Sequence, residues 1–362
     1  MSVFNIDNKT GIQSQKLFFG DMLSIARYDK QQFQQFSILN EKAISLFWQP
    51  SEVSLTKDVK DFRDLSANEQ HIFTSNLKRQ TLLDSVQGRA PSLAFLPICT
   101  DTALENFIST WTFFENIHSR SYTHIIRNLY PDPSIIFDDI MNISEVVDCA
   151  KDISKYYDEL IRLNVFNSVS GDYGDKEHKT ALWLALNSVN ALEGVRFYVS
   201  FACSFAFAEQ KRMEGNAKII KLILNDENLH LSATQKLIQL LPETDLDFRN
   251  IKIKYEKDVK KIFEDVVEQE KTWADYLFKD GSMIGLNANI LKQYIEYMAR
   301  KRMKYLDIEC DYKVTQNPCP WMDSWIAGSD VQVAPQESEI FSYTQGGIEN
   351  DVEDDTFKDI EL

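Results

Sequence analysis

The stretch "TFFENIHSRSYTHII", residues 112–126, has the spacing of a helix. On its inward stripe Phe107, Trp111, Glu115, His118, Tyr122, Ile125 and Leu129 follow one another by threes and fours. A carboxylate, an imidazole and a phenol therefore stand where a buried helix face ordinarily carries leucines. A charged carboxylate in an apolar interior is costly unless something compensates it, so the fold must bring a partner to Glu115 from elsewhere in the chain.

A second stretch repeats the pattern. Ile220, Ile223, Glu227, His230 and Thr234 share a stripe, and "NDENLH" carries the same Glu-x-x-His spacing. With five His and 24 Glu in 362 residues, chance supplies about 0.3 such pairs, so context has to decide. The helix before each motif contributes one inward acid: Asp84 follows Phe73 and Leu77, and Glu193 sits between Val189 and Phe197. The separations 84 to 115 and 193 to 227 are 31 and 34 residues, as expected of two similar helix pairs, each offering a carboxylate and then a carboxylate plus an imidazole. This is the constellation of ferritin-like bundles that hold two metals, with Asp84 where such bundles carry Glu. Asp84, Glu115, His118, Glu193, Glu227 and His230 suit two divalent iron ions, or manganese, and leave room for an oxygen-derived bridge between them.

The competing reading pairs each inward acid with an arginine, and Arg120, Arg127 and Arg196 lie near enough in sequence to serve. Six donors at matched spacing on four helices outweigh it. His71, His124 and His178 belong to no such pattern and are read as surface or core residues. Tyr122, one turn beyond His118, falls close to the metals. A buried phenol beside an oxygen-activating site is the side chain most readily oxidised by one electron, and Leu77, Phe197, Phe201 and Ile223 supply an apolar wall around it.

The bulk numbers bound the rest. The chain is 44% hydrophobic with a formal net charge of −16, which argues against nucleic acid or an anionic membrane as main partner, since no cationic surplus exists to meet phosphates. Five scattered cysteines without a CxxC pair fit a reducing cytoplasm, and no targeting segment or bilayer-length apolar run is read. Helical periodicity dominates from about residue 32 to 305, broken at "GRAPS", "YPDPS", "SGDYGDKEH" and "LPETD". The expected fold is an all-α, ferritin-like di-iron carboxylate bundle over residues 32–325, after an N-terminal arm over 1–31 and before an acidic tail over 326–362. From Glu337 to Leu362 the tail has nine acids and one lysine, a net −8, with Phe357, Ile360 and Leu362 as apolar anchors. The acidic composition alone suits a solubilising tail equally well; the apolar anchors, which a solubiliser does not need, point to a docking peptide that orders on a partner.

The motifs "FWQPSEV", "LLDSVQGRAPS", "WTFFENIHSRSYTHIIRNLY", "SVNALEGVRFYVSFACSFAFAE", "MEGNAKII", "NDENLHL" and "APQESEIFSY" run nearly the length of the chain. Together they resemble the small (beta) subunit of class Ia ribonucleoside-diphosphate reductase, of the type found in enteric bacteria and their large phages. The resemblance implies that Asp84, Glu115 and His118 hold one iron, that Glu193, Glu227 and His230 hold the other, and that Tyr122 is a stable radical formed with O2. It implies that Trp48, hydrogen-bonded to Asp226, passes an electron between the irons and the surface. Tyr343 in the tail, assisted by Glu337, then relays the oxidising equivalent to a large subunit that reduces ribonucleoside diphosphates. A cytoplasmic homodimer is implied with it. Asn225 stands where similar sequences often carry a basic residue. The rival readings are a stand-alone di-iron oxidase or ferroxidase with the same six ligands, and a helical scaffold with structural metal.

Overall fold

The computed structural model describes residues 15–21 and 25–326; most of the arm, the tail beyond Ile326, and with it Glu337 and Tyr343, lie outside the described residues. Among the described residues fourteen α-helices follow one another: α1 Gln34–Ser45, α2 Thr56–Asp64, α3 Ala67–Gln87, α4 Ala90–Ala94, α5 Thr102–Leu129, α6 Ser134–Asp139, α7 Ser144–Ser170, α8 Lys176–Ala191, α9 Phe197–Ala208, α10 Glu214–Thr244, α11 Leu246–Lys254, α12 Glu256–Leu277, α13 Ala288–Tyr305 and α14 Met322–Ile326. Among the described residues no strand forms, only isolated bridges such as Phe18 with Cys99.

Sequence chemistry sets the boundaries. Ser66 caps α3 through a reciprocal pair with Glu69, and Asp101 and Asp175 accept the Leu104 and His178 amides at the starts of α5 and α8, at 2.9 and 2.8 Å. Gly171 ends α7 at φ 87°, a left-handed position that a Cβ would strain. The break expected at "LPETD" falls within that stretch: α10 runs to Thr244, with Pro242 in its last turn and Asp245 as its cap. There the ring costs one amide bond and its fixed φ still suits the helix. The 27-residue α7 was not singled out by periodicity, and it packs on α3 and α8.

The metal-side helices form the centre: α3 packs on α5, and α10 packs on α5, α8 and α9. The run Lys176–Ala208 is long and apolar enough to cross a membrane, with a mean hydropathy of 1.2, yet 94% of that window is buried inside the bundle. It is the core helix of a folded domain. The wall residues Leu77, Phe197, Phe201 and Ile223 are all fully buried, the two phenylalanine rings stacked at 5.9 Å.

The three histidines outside the pattern have structural surroundings. His71 Nε2 lies 3.2 Å from the Tyr276 carbonyl, and His124 is half-buried at the surface. His178 is buried with Nε2 2.7 Å from Asn164 Oδ1, and burial pushes its pKa down to about 4, against a smaller upward pull from Asp175. A depressed imidazole stabilises the fold above its unfolded value near 6.5 and loses that contribution as pH falls towards 4. Between pH 7 and 4.5 the native chain should therefore lose about 1–3 kcal/mol more stability than His178→Gln, measured by urea unfolding at each pH. Parallel losses in the two proteins would refute the assignment.

Candidate metal centre

The six donors come from four helical segments and meet at one point. Asp84 lies in the last turn of α3, three residues before its final residue Gln87, Glu115 and His118 lie at the middle of α5, and Glu227 and His230 lie at the middle of α10. Glu193 sits in a π turn, Leu192–Arg196, inserted between α8 and α9 without breaking the helix. Such wide turns recur at functional sites because one extra residue re-aims a side chain that regular helix would turn away.

The ligand atoms form two overlapping groups, Asp84, Glu115, His118 and Glu227 in one, and Glu115, Glu193, Glu227 and His230 in the other, each spanning no more than 4.8 Å. Glu115 and Glu227 belong to both. His118 Nδ1 is 3.2 Å from Glu227 and 3.5 Å from Glu115, and His230 Nδ1 is 2.9 Å from Glu227 and 3.1 Å from Glu115. Each imidazole thus turns Nδ1 to the cluster.

Whether these residues fit two cations can be judged from the atoms left over. Both Asp84 oxygens and Glu193 Oε2 are buried with no hydrogen-bond partner, and Glu115 Oε2, Glu227 Oε1 and His118 Nδ1 are buried with only one another in reach. What sets these atoms apart is that they are carboxylate oxygens and an imidazole nitrogen turned towards one another in a dry core, an arrangement explained by cations between them. The charges fit as well, four carboxylates against two divalent ions. None of the three candidate arginines takes the competing role. Arg196 pairs with Asp152 and Glu270, at 2.8 and 3.3 Å, and Arg120 and Arg127 open on a surface cavity with Pro50, Ser51 and His124.

Without metal, the cluster's electrostatics are strained. Burial, then repulsion from Glu115 and Glu227, drives Asp84 well above the ordinary carboxylate range, and burial with repulsion from the same two residues does so to Glu193. Burial also pushes Glu227 up, but the imidazoles of His118 and His230 outweigh it and hold it low. For His230 burial acts downward, and its bonds to Glu115 and Glu227 carry the pKa up to about 9. Cations binding here displace those imidazole protons.

A second layer orients the first. Trp111 Nε1 donates to Glu115 at 2.8 Å, Gln87 Nε2 donates to Glu193 at 2.6 Å, and Tyr157 donates to Gln87 at 2.9 Å. The roles of Gln87 and Tyr157 were not read from sequence, although Gln87 stands three residues after Asp84 on the same face. Asp226, next to Glu227, receives Trp48 Nε1 at 2.9 Å and lies 3.0 Å from His118 Nε2. Trp48 is fully buried, its ring nearly parallel to His118 at 6.3 Å. A continuous path of hydrogen bonds therefore leads from indole through carboxylate to imidazole. Tyr122 is fully buried too, its hydroxyl has no hydrogen-bond partner, and burial followed by the charges of Asp84 and Glu227 raises its pKa far above 10.

A helical bundle that turns four carboxylates and two imidazoles onto one another defines a di-metal carboxylate protein. The family model for the ribonucleotide reductase small chain matches residues 27–318. The chain is 50% identical over 359 residues to the ribonucleoside-diphosphate reductase subunit beta of Buchnera aphidicola subsp. Schizaphis graminum, covering 96% of each chain. To the corresponding subunit of Enterobacteria phage T4 it is 43% identical over 377 residues, covering 98% of this chain and 97% of that one. The ribonucleotide reductase R2 subunit from Clostridium botulinum shares the fold with a TM-score of 0.79 at 23% identity, covering 90% of this chain and 98% of its own. The protein belongs to the ribonucleotide reductase small-chain family, in the class Ia branch of enteric bacteria and phages. As such it works with a large subunit, and its carboxylate–histidine cluster is a di-metal site. That membership sets aside the stand-alone oxidase and the scaffold.

Proposed function

We propose that the cluster holds two ferrous ions, with manganese as the competing metal, and that the chain uses them to oxidise Tyr122 to a stable radical. The observation that carries this reading is the set of orphaned carboxylate and imidazole atoms facing one another beside a buried phenol that makes no hydrogen bond. When bound, such an ion pair supplies one-electron oxidising chemistry with O2. Asp84, Glu115 and His118 serve one ion, Glu193, Glu227 and His230 the other, with Glu115 and Glu227 shared by geometry. Tyr122 gives up one electron. Asp84, electrostatically coupled to it and free of other partners, is placed to accept its phenolic proton. Leu77, Phe197, Phe201 and Ile223 belong to the dry core that keeps reductants away from the radical.

During turnover Trp48, held by Asp226, carries an electron between the surface and the cluster, and Tyr343 with Glu337 relays the oxidising equivalent to the large subunit. The acidic tail docks there. Removing residues 337–362 should leave the tyrosyl signal unchanged and reduce nucleotide reduction with the large subunit to background, read by electron paramagnetic resonance and a product assay. Undiminished reduction by the truncated chain would refute the docking role. In the same reading the chain acts in the cytoplasm as a homodimer. An exposed apolar patch supports self-association: Ile44, Phe47 and Phe113 are 56%, 43% and 52% exposed, with the two phenylalanines stacked at 6.2 Å.

A further inference from the structure

The π turn that carries Glu193 is held from two sides by buried arginines. Arg196, its last residue, points away from the cluster to Asp152 and Glu270, and it also donates to Cys149 Sγ at 3.0 Å. Arg302, on α13, comes from the other side: its Nε donates to the Gly194 carbonyl at 3.2 Å, and its guanidinium lies 5.0 Å from the centre of the Tyr198 ring.

Arg302 is 1% exposed, no carboxylate pairs with it among the described residues, and its Nη2 is buried without a partner. A buried guanidinium without an acid is among the costliest groups a core can hold, and an apolar side chain of similar volume would pack there more cheaply. What it touches supplies the reason for keeping it. A π turn is wider than regular helix and holds its own residues less firmly, so an outside donor on the peptide next to Glu193 limits how the turn can rotate. The approach is close. A Cβ on residue 194 would lie 3.0 Å from Arg302 Cγ and 3.2 Å from Leu231 Cδ1, so the glycine gives the arginine its room.

We propose that Arg302 is a positioning residue for one of the two metal ions: by tying the Gly194 carbonyl it fixes the π turn, and hence the place of Glu193 beside Glu227 and His230. It sets the affinity of that ion and leaves the ion beside Asp84 unaffected. The inference rests on the di-metal reading above, and no metal ligand is altered in its main test.

The test is a titration of the metal-free, full-length chain with Mn2+ alone, free manganese being counted by electron paramagnetic resonance, with Glu193→Gln and Asp84→Asn marking the two sites. The native chain should take up two ions. Arg302→Met should bind one with native affinity and the other about 10- to 100-fold more weakly, matching Glu193→Gln, while Arg302→Lys, which retains a donor, recovers most of the loss. The metal-free Arg302→Met protein should melt at or above the native temperature, because an unpaired buried charge has gone. Native affinity for both ions in Arg302→Met, or equal weakening of both together with a lower melting temperature, would overturn the proposal. Should that variant not fold, Gly194→Ala crowds the same contact with the arginine in place: selective loss of one ion supports the inference, and unchanged binding overturns it. Fewer than two ions in the native chain would instead count against the di-metal reading itself.

Discussion

Tyr122→Phe should fold, bind two metal ions and yet support no nucleotide reduction above background with the large subunit. The expected separation of stability from activity follows from the environment of one atom. The Tyr122 hydroxyl is fully buried and makes no well-formed hydrogen bond, its interaction being with the Asp84 carboxylate, so the fold gains little from it. An unsatisfied buried hydroxyl costs about 1–3 kcal/mol, and its removal should leave the melting temperature of the metal-free protein unchanged or higher. The ring stays to fill its place in the core. What disappears is the only function the hydroxyl has in this reading, an O–H bond that can be broken to leave an oxygen radical. Electron paramagnetic resonance after loading with ferrous iron and air should show a tyrosyl signal in the native chain and none in the variant. Reduction retained within a few-fold of native would remove Tyr122 from the account.

The second large effect distinguishes shared from private ligands. Glu115 and Glu227 appear in both ligand groups, whereas Asp84 and Glu193 each appear in one. Glu115→Ala or Glu227→Ala should therefore weaken both ions by at least about 100-fold, since even an outer partner of a ligand is worth 10- to 100-fold. Asp84→Ala or Glu193→Ala should leave one ion bound near native affinity. Isothermal titration with manganese separates the two patterns, and four variants that each lose a single ion would contradict the overlap. Asp84→Asn adds a check on sign. Burial holds Asp84 protonated well past the ordinary carboxylate range, so its ionised form destabilises the metal-free fold as pH rises. At pH 8 the asparagine variant should melt higher than native without metal and lower than native with it.

Much of this was legible in the sequence because helices translate spacing into direction. Two Glu-x-x-His motifs and the inward stripes containing Asp84 and Glu193 name all six donors without a coordinate, and an all-α bundle follows from the same periodicity. The overlap of the two groups was not legible, because whether Glu115 and Glu227 are shared depends on how α5 and α10 face each other. Nor was the π turn, since the stripe through Val189, Glu193 and Phe197 reads equally well as regular helix. Trp48 was identified through family likeness alone. Its bond to Asp226 joins residues 178 positions apart, beyond the reach of any local pattern. The same holds for Arg79 and Glu270, a buried ion pair that links α3 to α12.

The most direct measurement is anomalous diffraction at the metal edge from crystals of the loaded protein. Two peaks per chain are expected, one among Asp84, Glu115, His118 and Glu227 and the other among Glu115, Glu193, Glu227 and His230. A single peak, or carboxylates turned away from one another with no metal between them, would contradict the account.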